Sequence, residues 1–124
     1  MPSYSITLLG TTNTLDTTGD KFKGAGYQGL TAGFHSTSWE LNAFKGRIKI
    51  QATLATDPTS NDWFDVDIDN SGLGYVQFNS ATTGTKYYNF TGNFVWVRAV
   101  MWRTYDGSLT LLNAGNVVRV LYNF

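Results

Sequence analysis

Asp65, Asp67 and Asp69 stand at alternate positions, the spacing with which the first ligands of a calcium loop begin. Such a loop turns on a glycine at its sixth position and closes with a glutamate at its twelfth. Counted from Asp65, those positions hold Asn70 and Val76. The run has a simpler reading. Phe64, Val66 and Ile68 alternate with the aspartates, so a strand here turns its apolar side chains inward and its carboxylates to water. A cation or salt-bridge face at Asp65, Asp67 and Asp69 is the candidate, with Lys49 and Arg47 as partners if the preceding strand lies alongside; no metal site is expected.

Catalytic chemistry has little to draw on. There is no cysteine, which excludes disulfides, thiolate metal sites and thiol nucleophiles. His35 is the sole histidine and Glu40 the sole glutamate. A serine triad or a carboxylate pair would have to form around them, but no nucleophile elbow or paired acid marks one. Gly24-Ala25-Gly26 lacks the strand-then-helix context of a phosphate-binding loop. Asn89-Phe90-Thr91 is a formal glycosylation sequon without a visible leader to make it meaningful. No catalytic residue, cofactor or enzymatic activity is expected.

The elements that would carry these residues are strands. Apolar residues alternate with period two through most of the chain, and clusters of Gly, Asn, Asp, Ser and Thr separate the runs. Strands are expected at Ser3–Leu9, weakly at Leu30–His35, at Ser38–Phe44 with Trp39, Leu41 and Ala43 inward, and at Arg47–Leu54 after a turn at Lys45-Gly46. Trp63–Asp69, Tyr75–Phe78, Tyr87–Phe90, Phe94–Tyr105, Leu109–Leu112 and Val117–Tyr122 follow, with a polar hairpin at Asn79–Lys86. Any helix is confined to a turn or two within residues 10–30. The expected fold is all-β: one domain over residues 1–124, an antiparallel, jelly-roll-like β-sandwich of about eight to ten short strands.

Phe94–Tyr105 stands apart because it is apolar on both sides. Phe94, Trp96, Arg98, Val100 and Trp102 share one face; Val95, Val97, Ala99, Met101 and Arg103 share the other. A strand covered on both faces is normally central, whereas the outer face of a two-layer sandwich should be wet. Either the glycine-rich segment 19–35 folds over the second face, or another chain does. Phe94, Trp96, Arg98, Trp102, Arg103 and Tyr105 are the candidate interface residues. Exposed Trp and Tyr rings could alternatively stack on sugars.

Nine basic and nine acidic residues balance to zero net charge, which argues against nucleic-acid and polybasic membrane partners and suits dense association. Aromatic residues make up 15% of the chain, and large rings serve both cores and interfaces. Met1-Pro2-Ser3-Tyr4 carries no basic or apolar leader region, and no apolar run approaches the ~18–20 residues of a membrane span. Synthesis in a cytoplasm is therefore expected.

Two stretches resemble small structural proteins of tailed bacteriophages, notably of marine and cyanobacterial myoviruses. One is Lys45-Gly-Arg-Ile-Lys-Ile-Gln-Ala-Thr-Leu-Ala-Thr-Asp-Pro-Thr-Ser-Asn-Asp-Trp-Phe-Asp65. The other is Tyr88-Asn-Phe-Thr-Gly-Asn-Phe-Val-Trp-Val-Arg-Ala99, followed by Tyr105-Asp-Gly-Ser108 and a short terminal strand. Together they span roughly residues 45–124. The resemblance implies a virion protein assembled in the host cytoplasm: a capsid decoration protein, a neck or tail component, or a baseplate module. Its partners would be copies of itself or other virion proteins. The alternative function is a carbohydrate-binding module for host attachment, with a glycan as ligand.

Overall fold

The computed structural model describes residues 6–10, 15–27, 29, 33–105, 107, 110–111 and 114–123. Its strands are β1 (Ile6–Leu9), β2 (Asp16–Thr18), β3 (Phe22–Lys23), β4 (Phe34–Thr53), β5 (Phe64–Val66), β6 (Val76–Thr91), β7 (Trp96–Trp102) and β8 (Asn116–Asn123). All belong to one antiparallel sheet of eight strands that curls nearly into a barrel. Among the described residues the only helical turn is a short 3-10 turn at Ser60–Asp62, closed by Asp62 accepting from the Thr59 backbone and hydroxyl.

β4 is the spine. Twenty residues long, it replaces the two strands and the Lys45-Gly46 turn expected from sequence. β6 follows one edge of both halves, from Phe34↔Thr91 to Ile48↔Val76. On the other edge β8 pairs with Ser36–Asn42 and β7 with Arg47–Thr53. β5 pairs with Ile50–Ala52, β1 extends the sheet beyond β8, and β2 and β3 pair with β7. The carboxylate of Asp16 clips β2 onto the end of β7, accepting from the N–H groups of Arg103 and Thr104 and from the Thr104 hydroxyl. Burial would raise the Asp16 pKa, and these three bonds bring it below the usual value.

An irregularity at Asn42 and Ala43 makes so long a strand workable. His35, Thr37, Trp39 and Leu41 face the core, and so do Phe44, Ile48, Ile50 and Ala52. The inward set is odd-numbered before position 42 and even-numbered after it, which a regular strand cannot provide, because side chains alternate strictly. Asn42 and Ala43 are both exposed, and Ala43 takes a left-handed conformation with φ 51°. This bulge inserts one residue and moves the parity. Ala43 therefore faces out, and Phe44 takes the core place expected for it.

The bulge is held from both sides. The Thr83 hydroxyl accepts from the Ala43 N–H at 2.9 Å, and Lys45 N–H donates to the Ala114 carbonyl at 3.0 Å. Gly115, at φ +71°, lies so close beneath that a Cβ there would stand 2.1 Å from the Ala43 oxygen.

β6 copies the path of β4, with register breaks between Leu41 and Phe44 and between Phe44 and Gly46. The expected hairpin at Asn79–Lys86 is thus absent, and Val76–Thr91 is one continuous strand. The Trp63–Asp69 strand shortens to β5. Val66 and Ile68 are buried as expected, while Phe64 is 41% exposed. The end of Phe94–Tyr105 departs from strand at Arg103, and β8 matches its expected range closely. Ser3–Ser5, Leu30–Ala32, Leu109 and Leu112 lie outside the described residues; Thr110 and Leu111 form a turn.

Each large apolar side chain taken into this core contributes about 1.5–3 kcal/mol. Trp39, Leu41, Phe44, Ile48, Ile50, Met101, Val97, Val117, Val120 and Tyr122 are all essentially inaccessible.

Candidate functional site

The outer face of β7 carries its even-numbered residues, set beside the outward residues of β4: Arg47 opposite Trp102, Lys49 opposite Val100, Gln51 opposite Arg98. The rings on this face are met by cations of the same chain. The Arg47 guanidinium lies 3.8 Å from the Tyr75 ring centroid, 4.0 Å from Tyr105 and 5.2 Å from Trp102. Lys49 Nζ lies 4.7 Å from the Trp102 centroid. Arg98 stacks on Trp63 at 4.0 Å and donates through Nε to Gln51. Trp96 donates its indole N–H to the Thr56 carbonyl at 2.8 Å and sits between Tyr27 and Lys21.

The strand's second face is therefore partly covered within the chain. The glycine-rich segment supplies Lys21 and Tyr27. Its glycines let backbone lie directly on the start of β7: Gly24 and Gly26 donate to the carbonyls of Val95 and Phe94, and a Cβ at Gly26 would meet the Asn93 oxygen at 2.2 Å. That close approach, not phosphate binding, is what Gly24-Ala25-Gly26 provides.

Of the residues expected at an interface, Arg103 lies inside instead and Phe94 is half-buried. Arg103 is fully buried, because its position shares the inward face of Val97, Ala99 and Met101. It donates to the Leu111 and Gly115 carbonyls at 2.7 and 2.6 Å and lies over the Phe44 ring. Its Nε is buried with no hydrogen-bond partner among the described residues, and burial lowers its pKa. Phe94 is packed against Phe64, Phe90 and His35. Trp96, Arg98, Trp102 and Tyr105 remain on the outer face, partly exposed.

The acidic row is divided. Asp65 pairs with Lys49 at 3.4 Å and accepts from Gln51. Asp67 and Asp69 lie beyond β5 and accept from the backbone N–H groups of Gly72 and Ser71, closing the turn. Arg47 is engaged with rings and Gln77 rather than with a carboxylate. No group of three metal-ligating side chains occurs among the described residues.

His35 and Glu40 point to opposite sides of β4. Glu40 pairs with Arg119 on the outer face. His35 is buried, stacked between Phe90 and Tyr122, with ring planes within 10° of each. Its Nε2–H donates to the Gly92 carbonyl at 2.6 Å, so its Nδ1 accepts from the Tyr122 hydroxyl at 2.7 Å. Burial lowers the His35 pKa, against the opposing pull of the Gly92 bond. The ring is thus held neutral and serves the core.

Three features of the surface were not legible from motifs. Among the described residues β6 pairs with β4 alone, leaving its other edge open over sixteen residues. At one end of the barrel Leu54 and Phe64 are 65% and 41% exposed above Phe94. On the outer face of β6, β4 and β8, Phe34 and Tyr87 are more than 70% exposed beside two adjoining clefts. Only the register across strands brings such residues together. In comparisons with known proteins, no family model, curated protein or solved structure matches this chain.

Proposed function

We propose that this chain is a structural module of a tailed-phage-type virion, acting through its surfaces rather than by catalysis, and that it associates with copies of itself along the open edge of β6. The edge carries the reading. A strand edge presents a row of N–H and C=O groups that can pair with another chain, and proteins usually blunt it with proline, charge or a covering loop. Val76–Thr91 contains no proline, and Lys86 is its only charged residue. The apolar barrel end at Leu54 and Phe64 adds a second surface suited to contact. Zero net charge keeps repulsion between copies low. The resemblance of residues 45–65 and 88–99 to phage structural proteins supplies the setting.

Light scattering coupled to size exclusion tests the association. The expected result is a mass that rises with concentration, and a return to monomer in Thr85→Lys, which charges the exposed edge without touching the core. A wild-type monomer at every concentration up to the millimolar range overturns self-association through β6. Locating the chain in a map of an assembled particle tests the virion role.

A further inference from the structure

We propose that the outer face of β6, β4 and β8 is a binding site for a short neutral oligosaccharide, a role beyond assembly. The register sets side chains of β6, β4 and β8 in rows: Thr91 beside Phe34, Asn89 beside Ser36 and Asn123, Tyr87 beside Ser38 and Leu121. Beyond Phe34 the middle strand contributes only the small Ser36 and Ser38 between its larger neighbours, so the face sinks there. Two clefts lie against this face, of about 550 Å³ and 320 Å³; they adjoin at Ser36 and Asn89, and the larger also reaches His35 and Phe90. Asp67 and Asn70 wall one end.

Two large rings stand at this trough. Phe34 is 71% exposed and Tyr87 74%, the two highest values among the exposed large apolar residues. Rings left so open give up the burial that ordinarily favours them. Phe34 and Ser38, the cross-strand neighbour of Tyr87, are four residues apart on β4, or about 13 Å along an extended strand. That separation suits a chain of sugars with a ring under each end and is too long for one monosaccharide. Between the rings the floor offers hydroxyls and amides. Ser36 donates to Asn89 Oδ1 at 2.8 Å, which orients the Asn89 amide so that its N–H donors remain for a ligand. Among the described residues, Asp67 is the only charged side chain lining either cleft, and no cation lines them. A polyhydroxylated, uncharged ligand with apolar ring faces meets these groups; an anionic one does not.

An array of neutral di- to tetrasaccharides, probed with the full chain, tests the proposal. At least one oligosaccharide is expected to bind. Tyr87→Ala and Phe34→Ala should each weaken it about tenfold, the order of one stacked ring, while Tyr87→Trp retains binding. Ser36→Trp, which fills the trough, should abolish it. Both rings are exposed, so thermal melts of the alanine variants should match the wild type. No binding to any neutral oligosaccharide, equal binding by both alanine variants, or selectivity for sialylated or phosphorylated glycans overturns the site. Thr85→Lys should separate the two roles by keeping glycan binding while losing self-association, so either can fail alone.

Discussion

Replacing Gly115 by alanine should be among the most damaging single-methyl changes available in this protein. Two costs combine. Gly115 sits at φ +71°, where an L side chain costs about 1–2 kcal/mol. The added Cβ would also stand 2.1 Å from the Ala43 oxygen and 2.2 Å from its carbonyl carbon. Neither atom is a flexible side-chain end, so backbone must move, and the Lys45–Ala114 hydrogen bond next to it is strained or lost, at about 1 kcal/mol. With overpacking at about 1–3 kcal/mol, the sum is about 3–6 kcal/mol. At ~2.1 cal/mol/K per residue, a chain of this length unfolds with an entropy near 0.26 kcal/mol/K, so Tm should fall by about 12–23 °C.

Gly72→Ala is the control. Gly72 has φ +80° and nothing within 4 Å of an added Cβ, so it should show only the conformational cost of about 1–2 kcal/mol, or about 4–8 °C. Urea and thermal melts of the two variants give the comparison. Equal shifts in the two proteins would refute the claim that the bulge at Ala43 is bedded on Gly115.

Stability should fall with acid through His35. Its folded pKa lies below the unfolded value of 6.5, so the unfolded chain takes up the proton first. The contribution is whole above about pH 6.5 and shrinks as pH drops from there toward the folded pKa. Urea midpoints from pH 7.5 to 5 should show this slope, and His35→Phe should flatten it while costing about 1–3 kcal/mol at pH 7.5 for the Gly92 carbonyl left without its donor; a slope unchanged in that variant counts against His35 as the source. Arg47→Lys should cost about 1–2 kcal/mol despite keeping the charge, because a lysine cannot stack flat between Tyr75 and Tyr105 while donating to Gln77. A change below about 0.3 kcal/mol in the urea midpoint analysis would show that charge alone matters there.

Legibility varied with the range of the interaction. Ile48, Ile50 and Ala52 were readable because period-two alternation is a local property of a strand with one buried face. The same logic misplaced Ala43 and the Lys45-Gly46 turn. Each half of β4 has a clean alternation, and nothing within either half reveals that the halves join. The join depends on Gly115 and Thr83, 72 and 40 residues along the chain from Ala43. The Asn79–Lys86 hairpin failed for the same reason: a polar, glycine-containing run resembles a turn until a neighbouring strand gives it a partner.

Local order thus determined much: an all-β fold, the inward rows of the regular strands, a β7 apolar on both faces, and the absence of any recognisable catalytic motif. Tertiary structure decided how those rows are used. It closed eight strands into one curled sheet, took Arg103 inside, and set the chain's own cations and rings against the partly exposed Trp96 and Trp102. It left open instead the edge of β6 and the trough between Phe34 and Tyr87. Alternation along a strand is set by backbone geometry that each residue carries with it, whereas the partner across a sheet is set by register, and register is settled only when distant strands meet.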